Sequence, residues 1–161
     1  MDIYLEGGRR RVFAAALSWP GWARSGRDEE AAMQALVDYG ERYRRAIGRG
    51  GGDLALPTSA AELHVAEPLS GGATTDFGAP GAIAAHDEQP PDDVELERLS
   101  RILTSCWEAF DRALEAAAGR PLQPAGPRGG GRSVSGVRDH VMAAQLGYLS
   151  SLGGWTRPGM S

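Results

Sequence analysis

The spacing of apolar residues divides the chain into a β-rich first part and a helical second part. Short apolar runs bounded by glycine and proline predict strands at residues 3–6, 12–17 and 23–25, and an alternating run predicts a fourth at residues 63–69. A segment with helical periodicity lies between the third and the fourth strand. We therefore expect an α+β domain with the order β-β-β-α-β in the first seventy residues.

The predicted helix of this domain has recognisable start and stop signals. Asp28 precedes Glu29 and Glu30, and acidic residues there satisfy free N–H groups and favour the positive end of the helix dipole. The glycines of residues 48–52 end the helix. The apolar residues recur at helical spacing, which predicts a buried face made of Met33, Leu36, Val37, Tyr43 and Ile47.

Two tryptophans flank the Pro20-Gly21 turn that precedes this helix. Trp19 and Trp22, with Arg24 nearby, could form a platform of aromatic and basic residues for nucleic acid. The acidic opening of the following helix would repel phosphate. We therefore expect both tryptophans to pack as part of the scaffold.

Two further helices are predicted in the second part of the chain. Asp92 or Asp93 caps a long helix that ends before Gly119, and Ser133 caps the next helix. The apolar stripe predicted for the long helix contains Leu96, Leu99, Leu103, Trp107, Phe110 and Leu114. The stripe predicted for the next helix contains Val134, Val137, Val141, Ala144, Tyr148 and Leu152.

These segments predict a domain organisation in four parts. Residues 1–70 form the α/β domain, residues 71–91 an extended loop anchored by Phe77, residues 92–153 a two-helix antiparallel hairpin, and residues 154–161 a flexible tail.

Composition removes several classes of function. The formal net charge of −4 provides no overall field that would attract nucleic acid. All 17 basic residues are arginine, which we take as a mark of a GC-rich genome. A single cysteine, Cys106, cannot form an intrachain disulfide, and its apolar helical setting indicates inert packing. No segment approaches the ~20 apolar residues of a membrane span, so we expect a cytoplasmic protein without membrane contact.

The first part of the chain resembles the HicB-like antitoxin domain. The resemblance rests on the Pro20-Gly21 turn, on the acidic helix opening GRDEEA at residues 26–31 and on the predicted order of elements. It implies a small β-β-β-α-β domain over residues 1–70. HicB antitoxins usually add a DNA-binding motif, which we do not find in this sequence, so operator binding is not expected.

The second part resembles the beginning of a DinB-like four-helix bundle. The resemblance rests on GPRGGGR at residues 126–132, followed by VRDHV at residues 137–141 and by Tyr148-Leu149. Many members of this family hold a divalent metal with three histidines, and some transfer mycothiol or bacillithiol. The resemblance implies that the two helices are the first two of the bundle and that His140 is the first metal ligand. The later His-x-x-x-His pair is absent here, so the sequence resembles the front part of an actinobacterial fusion of the two families.

Other candidate sites have a functional and a structural interpretation. His140 is either a metal ligand or a histidine at the edge of an apolar helix face. Arg128 and Arg132 either bind an anion at the start of the following helix or belong to a flexible linker. A phosphate-binding P-loop requires lysine, which the chain lacks. We identify no catalytic residue.

Three hypotheses of function follow. The leading one is a non-enzymatic protein-interaction module that forms a homodimer, with no cofactor, through an interface containing Leu103, Trp107, Phe110 and Tyr148. The second is a shortened DinB-like thiol transferase that depends on a divalent metal. The third is a HicB-like antitoxin-type partner of a small toxin.

Overall fold

Four strands and four α-helices follow one another in the residues that the computed structural model describes, which are 1–52, 54–120 and 133–151. The elements are β1 (Asp2–Gly7), β2 (Val12–Ala16), β3 (Ala23–Gly26), α1 (Glu29–Ile47), β4 (His64–Ser70), α2 (Ala73–Phe77), α3 (Asp93–Ala117) and α4 (Val134–Ser151). Short 3₁₀ turns lie at Gly48–Gly51, Ala60–Glu62 and Ala85–Glu88. The prediction of an α+β fold with four strands and α1 in this order is confirmed.

The four strands form one mixed sheet with the order β3-β2-β1-β4. β1 pairs antiparallel with β2, β2 pairs antiparallel with β3, and β4 runs parallel to β1. The parallel pairing requires a crossover, and α1 provides it by connecting β3 at one edge to β4 at the other. β1 and β2 therefore occupy the centre of the sheet.

An irregularity in the pairing of β1 and β4 changes which side chains share a face. Ile3 pairs with Val65, but Tyr4 pairs with Glu67, so that Ala66 is an extra residue in β4. Strict alternation along β4 would place Val65, Glu67 and Leu69 on the same face. The bulge places Glu67 beside Tyr4 instead, and Glu67 is half-buried.

The main core lies between the sheet and α1. Ile3 and Leu5 of β1 alternate onto this face, and they pair with Ala16 and Ala14 of β2. The other buried members of the cluster are Trp22, Ala32, Leu36, Tyr43, Ile47, Leu63 and Ile102. Phe13 and Ala15 are also buried but belong to the opposite face of the sheet, which we call the outer face.

Trp22 joins the turn after β2 to α1. Its indole Nε1–H donates to the carbonyl oxygen of Leu36 at 3.0 Å, and its ring stacks on Tyr43 with centroids 5.0 Å apart. Gly40 allows this approach, because a Cβ there would lie 3.1 Å from the Trp22 ring. The prediction that Trp22 packs as scaffold is confirmed, whereas Trp19 is only half-buried.

Both predicted helix caps of the first hundred residues are present. The Asp28 carboxylate accepts a hydrogen bond from the backbone N–H of Ala31 at 2.8 Å, which lowers the pKa of Asp28. At the start of α3 the cap is Asp92, whose carboxylate accepts from the N–H of Glu95 at 2.8 Å. Ser133 accepts from the N–H of Gly136 at 3.1 Å and caps α4.

The buried face of α3 differs from the predicted stripe. Ile102 is 5% exposed and belongs to the core, and Cys106 packs against the same cluster. Leu96 and Leu103 of the predicted stripe are 54% and 53% exposed. The predicted stripe is thus only partly covered: Leu99, Trp107 and Phe110 are half-buried, and the core receives the face that carries Ile102, roughly 100° around the helix from Leu103.

Among its described residues, α4 buries none of its side chains. Val137 is 36% exposed and Tyr148 is 74% exposed, so these two residues do not point into a core as predicted. Leu152, the last member of the predicted stripe, lies outside the described residues. The antiparallel pairing of the two helices stays a prediction.

The segment after β4 is more structured than the predicted extended loop. It contains α2 and the 3₁₀ turn Ala85–Glu88. Phe77 is 75% exposed and does not anchor it. Hydrogen bonds from backbone N–H groups to the carboxylates of Glu6 and Glu67 anchor it instead.

The chain divides into two compact units, Met1–Trp107 and Glu108–Ser161. The first contains the sheet, α1 and the larger part of α3. The second contains the last turns of α3 and α4. The division falls within α3, fifteen residues beyond the start of the predicted hairpin at residue 92.

We predict that Trp22→Ala lowers the free energy of unfolding by about 3–5 kcal/mol, because a fully buried large aromatic leaves a cavity that the surroundings only partly fill. Urea denaturation followed by circular dichroism measures the loss. Trp19→Ala is the matched comparison and should lose clearly less, because Trp19 is half-buried. Equal losses in the two variants would contradict the scaffold role assigned to Trp22.

Candidate functional site

A groove of about 830 Å³ lies within the first unit. Its walls come from the turn between β2 and β3, from the 3₁₀ turn after α1, from the segment preceding α3 and from the first turns of α3. The lining residues that carry its chemistry are Trp19, Arg49, His86, Asp87, Glu95, Arg98 and Arg101.

Arg98 holds one side of the groove together. Its Nε and Nη2 donate to the two oxygens of Glu95 at 2.7 and 2.6 Å, and Nη2 also donates to the carbonyl oxygen of Ser18 at 2.7 Å. Its guanidinium carbon lies 4.8 Å from the centre of the Trp19 ring. Arg98 therefore connects α3 to the turn that Trp22 positions.

The hydrogen bonds between Glu95 and Arg98 shift the pKa values of both side chains. The bond from Arg98 lowers the pKa of Glu95, with smaller help from the charges of Arg98 and His86. The bond to Glu95 raises the pKa of Arg98. Because the Arg98 side chain is only 22% exposed, this ion pair is better shielded from water than the exposed pairs elsewhere on α3.

A close approach of two backbones forms another part of the groove. The 3₁₀ turn after α1 packs on α3 so tightly that a Cβ on Gly50 would lie 2.7–2.9 Å from backbone atoms of Arg101 and Ile102. The N–H of Gly50 also donates to the hydroxyl of Ser105 at 3.2 Å. This contact fixes Arg49 and Arg101 at the groove.

The described lining carries charges of both signs. This mixture favours a binding role and does not indicate a particular reaction. Three arginines, Arg49, Arg98 and Arg101, face a lining that also contains Asp87, Asp92 and Glu95. Arg98 is paired with Glu95, and the Arg101 side chain donates to the carboxylate of Glu97 at 2.9 Å. The groove thus presents mixed charge around a half-buried tryptophan ring.

The predicted interface residues lie on two helices. Leu103 is exposed on α3, and Tyr148 is exposed on α4. Trp107 and Phe110 are half-buried. Leu96, seven residues before Leu103, shares its face of α3 and is equally exposed.

The predicted metal and anion sites are not assembled by the described residues. His140 is exposed on α4, and the described residues contain no group of three histidine, cysteine, aspartate or glutamate side chains able to hold a metal. Arg128 and Arg132 lie outside the described residues. His86, beside Asp87 and Glu88, lines the groove, and His64 is exposed with Nδ1 3.0 Å from an oxygen of Asp2.

Two side chains near the groove, the buried Tyr43 and the half-buried Cys106, are held in their neutral forms. Burial raises the pKa of Tyr43 to about 12, and its hydroxyl donates to the carbonyl oxygen of Pro20 at 3.0 Å. Burial also raises the pKa of the Cys106 thiol, which packs against the core. A raised pKa disfavours the reactive thiolate, in agreement with the structural role predicted for Cys106.

Sequence reasoning missed the roles of Glu6 and Arg98. Glu6 and Arg98 have ordinary polar positions in amphipathic segments, and their roles depend on partners 69 to 80 residues away in the sequence. Arg49 does have a sequence signal, because the glycines that follow it permit the close approach to α3.

Comparisons with family models, with curated proteins and with solved structures find no significant match to this chain. No helix among the described residues is long and apolar enough to cross a membrane. The HicB-like and DinB-like resemblances therefore stay predictions.

We predict that Glu95 contributes stability that depends on pH. Because Arg98 lowers the folded-state pKa of Glu95 below its ordinary 4.5, this contribution is complete above that value and is lost as the pH falls through the lowered pKa. The difference in unfolding free energy between wild type and Glu95→Gln should therefore shrink between about pH 6 and about pH 3. Urea denaturation across this range measures it.

Glu97→Gln is the matched control for this experiment, since Glu97 pairs with Arg101 in an exposed position. Its difference from wild type should change much less with pH. Equal pH dependence in the two variants would contradict a special role for the Glu95–Arg98 pair.

We also predict that the isolated chain does not retain a stoichiometric divalent metal, because the described residues bring no partner ligands to His140. Elemental analysis after dialysis measures the content, with His64→Ala as a histidine control. About one zinc or nickel ion per chain, lost in His140→Ala and kept in His64→Ala, would favour the thiol-transferase hypothesis.

Proposed function

We propose that this chain is a non-enzymatic protein-interaction module that forms a homodimer through the exposed apolar face of α3. The observation that carries the proposal is that α3 has two apolar faces, of which one packs on the core of the first unit. Leu96 and Leu103 lie on the other and remain more than half exposed.

The arrangement of charges on α3 supports this face as a contact surface. Glu97 and Arg101 form an i,i+4 pair, and Glu108 and Arg112 form another with a separation of 3.8 Å. Both pairs lie roughly 100° or more around the helix from Leu103. The polar face of α3 is thus separate from the face that carries the leucines.

The energetic argument favours a symmetric pair. Burying one leucine side chain stabilises by roughly 1.5–3 kcal/mol, which is small against the cost of association. In a two-fold symmetric dimer each residue contributes twice, so Leu96 and Leu103 supply four buried leucines.

The second unit separately offers apolar surface. Tyr148 and Met142 of α4 are 74% and 45% exposed, and α4 buries none of its described residues. Large aromatic side chains frequently anchor protein interfaces. We therefore keep Tyr148 as a contact residue of the second unit in its own right, and Trp107 and Phe110 as contact residues of α3.

The antitoxin-type hypothesis is a second candidate. The order β-β-β-α-β in the first seventy residues is the order that the HicB resemblance implies, and this agreement favours it. It differs from the first candidate in its partner, which would be a small toxin bound by the α/β domain.

We predict a dimer at micromolar concentration that Leu103→Asp converts to a monomer, because a carboxylate cannot be buried unpaired in an apolar contact. Light scattering coupled to size-exclusion chromatography measures the mass, and circular dichroism checks that the variant is folded.

Thr104→Asp is the matched control. It introduces the same charge at the next position, about 100° around the helix, where Thr104 is exposed. It should remain dimeric. A monomeric wild type, or equal dissociation by the two variants, would overturn the proposed interface.

A further inference from the structure

The carboxylate of Glu6 is completely buried on the outer face of the sheet, and its partners come from the segment after β4. The hydroxyl of Thr75 donates to Oε1. The N–H of Gly81 lies 3.0 Å from both oxygens, and the N–H of Ala82 donates to Oε2 at 3.0 Å. We call residues 72–88 the strap, and within the described chain its groups supply every hydrogen bond recorded for this carboxylate.

Two further carboxylates attach the strap. Glu67 of β4 accepts from the N–H of Ala85 at 2.9 Å. Asp76 of the strap accepts from the N–H of Arg10, in the turn between β1 and β2, at 2.8 Å. Each attachment joins a carboxylate to backbone N–H groups, so the strap is tied to the sheet by polar contacts along its length.

Apolar contacts contribute little to holding the strap. Ala84 is its one buried apolar residue among those described, and it is small. The two large apolar side chains of the strap, Phe77 and Ile83, are 75% and 71% exposed. The hydrophobic free energy that resists lifting the strap is therefore small compared with that of the main core.

Because the strap is attached by polar contacts, lifting it costs less free energy than unfolding the domain. When the strap lifts, water replaces the lost donors at the Glu6 carboxylate, which recovers the hydration that burial had removed. The sheet and α1 keep their own core, which includes Ile3, Leu5 and Leu36. Segments with few buried apolar contacts open locally before the whole domain unfolds.

We propose that the strap is a releasable cover, closed by Glu6, that opens while the core beneath α1 stays folded. Opening uncovers the outer face of the sheet, where Phe13 pairs with Glu6 and Ala15 pairs with Tyr4. It also withdraws His86 and Asp87 from the groove, because both belong to the strap. The closed strap thus supplies part of the groove wall and covers the outer face at Glu6.

The raised pKa of Tyr4 agrees with a strap that lies close to this face. Its pKa is raised first by burial, and then by the negative charges of Glu6 and of Asp87 in the strap. Both charges therefore act on the same side chain of β1.

Hydrogen exchange of the full chain, measured by mass spectrometry at low denaturant concentrations, tests the proposal. In wild type, amides of residues 72–88 should exchange through an opening that depends less on denaturant than the opening of α1. In Glu6→Gln, an amide NH₂ replaces one acceptor oxygen and faces backbone N–H groups. Exchange of the strap should then accelerate about tenfold or more, while that of α1 stays within about twofold.

Two variants make the test selective. Thr75→Val preserves side-chain shape, removes the hydroxyl and should accelerate exchange of the strap to a smaller extent. Glu62→Gln changes an exposed carboxylate bound to Thr58 and should leave the strap unchanged.

Three results would overturn the proposal. One is a wild-type strap that exchanges only together with α1. Another is equal acceleration of the strap and α1 in Glu6→Gln. The third is a Glu6→Gln chain that does not fold, because the carboxylate would then support the core and not the strap alone.

Discussion

The position of Trp22 constrains most of the first unit. Its backbone carbonyl accepts from the N–H of Ala16, and its own N–H donates to the carbonyl of Trp19, so the indole and the turn are one rigid piece. The indole is held by Leu36 and Tyr43 of α1. The same packing therefore places α1 on the sheet and presents the carbonyl of Ser18 and the ring of Trp19 to Arg98.

The close contact at Gly50 has a comparable effect on α3. A glycine in the 3₁₀ turn lets the backbones of the turn and of α3 approach closely, and this contact brings Ile102 and Cys106 toward the core. A helix has a fixed angular spacing, so choosing the buried face also chooses the exposed one. Leu96 and Leu103 are exposed because Ile102 is buried, and the proposed dimer depends on this geometry.

The parts of the fold that were predictable from the sequence are those determined by local interactions. Asp28 caps α1 by a bond three residues away, and β1 and β3 end at Gly7 and Gly26. The buried face of α3 was not predictable in this way, because apolar spacing fits two neighbouring faces and the shape of the Gly50 turn decides between them. The bulge at Ala66 likewise depends on pairing across the sheet, which alternation along β4 does not reveal.

Glu6 was missed for a related reason, and its chemistry explains why the outer face differs from the inner one. A carboxylate in a strand next to tyrosine and leucine predicts a solvent-facing position, and only the return of the chain after β4 encloses it. A leucine at the same position would hold a cover by burial alone, with a penalty for re-exposure that water cannot reduce. A carboxylate bound by N–H and O–H groups requires a specific alignment of Thr75, Gly81 and Ala82, yet water can replace each of these donors. The inner face, closed by Trp22 and Leu36, stays buried as long as the domain is folded. The outer face combines a defined closed state with a hydrated open one.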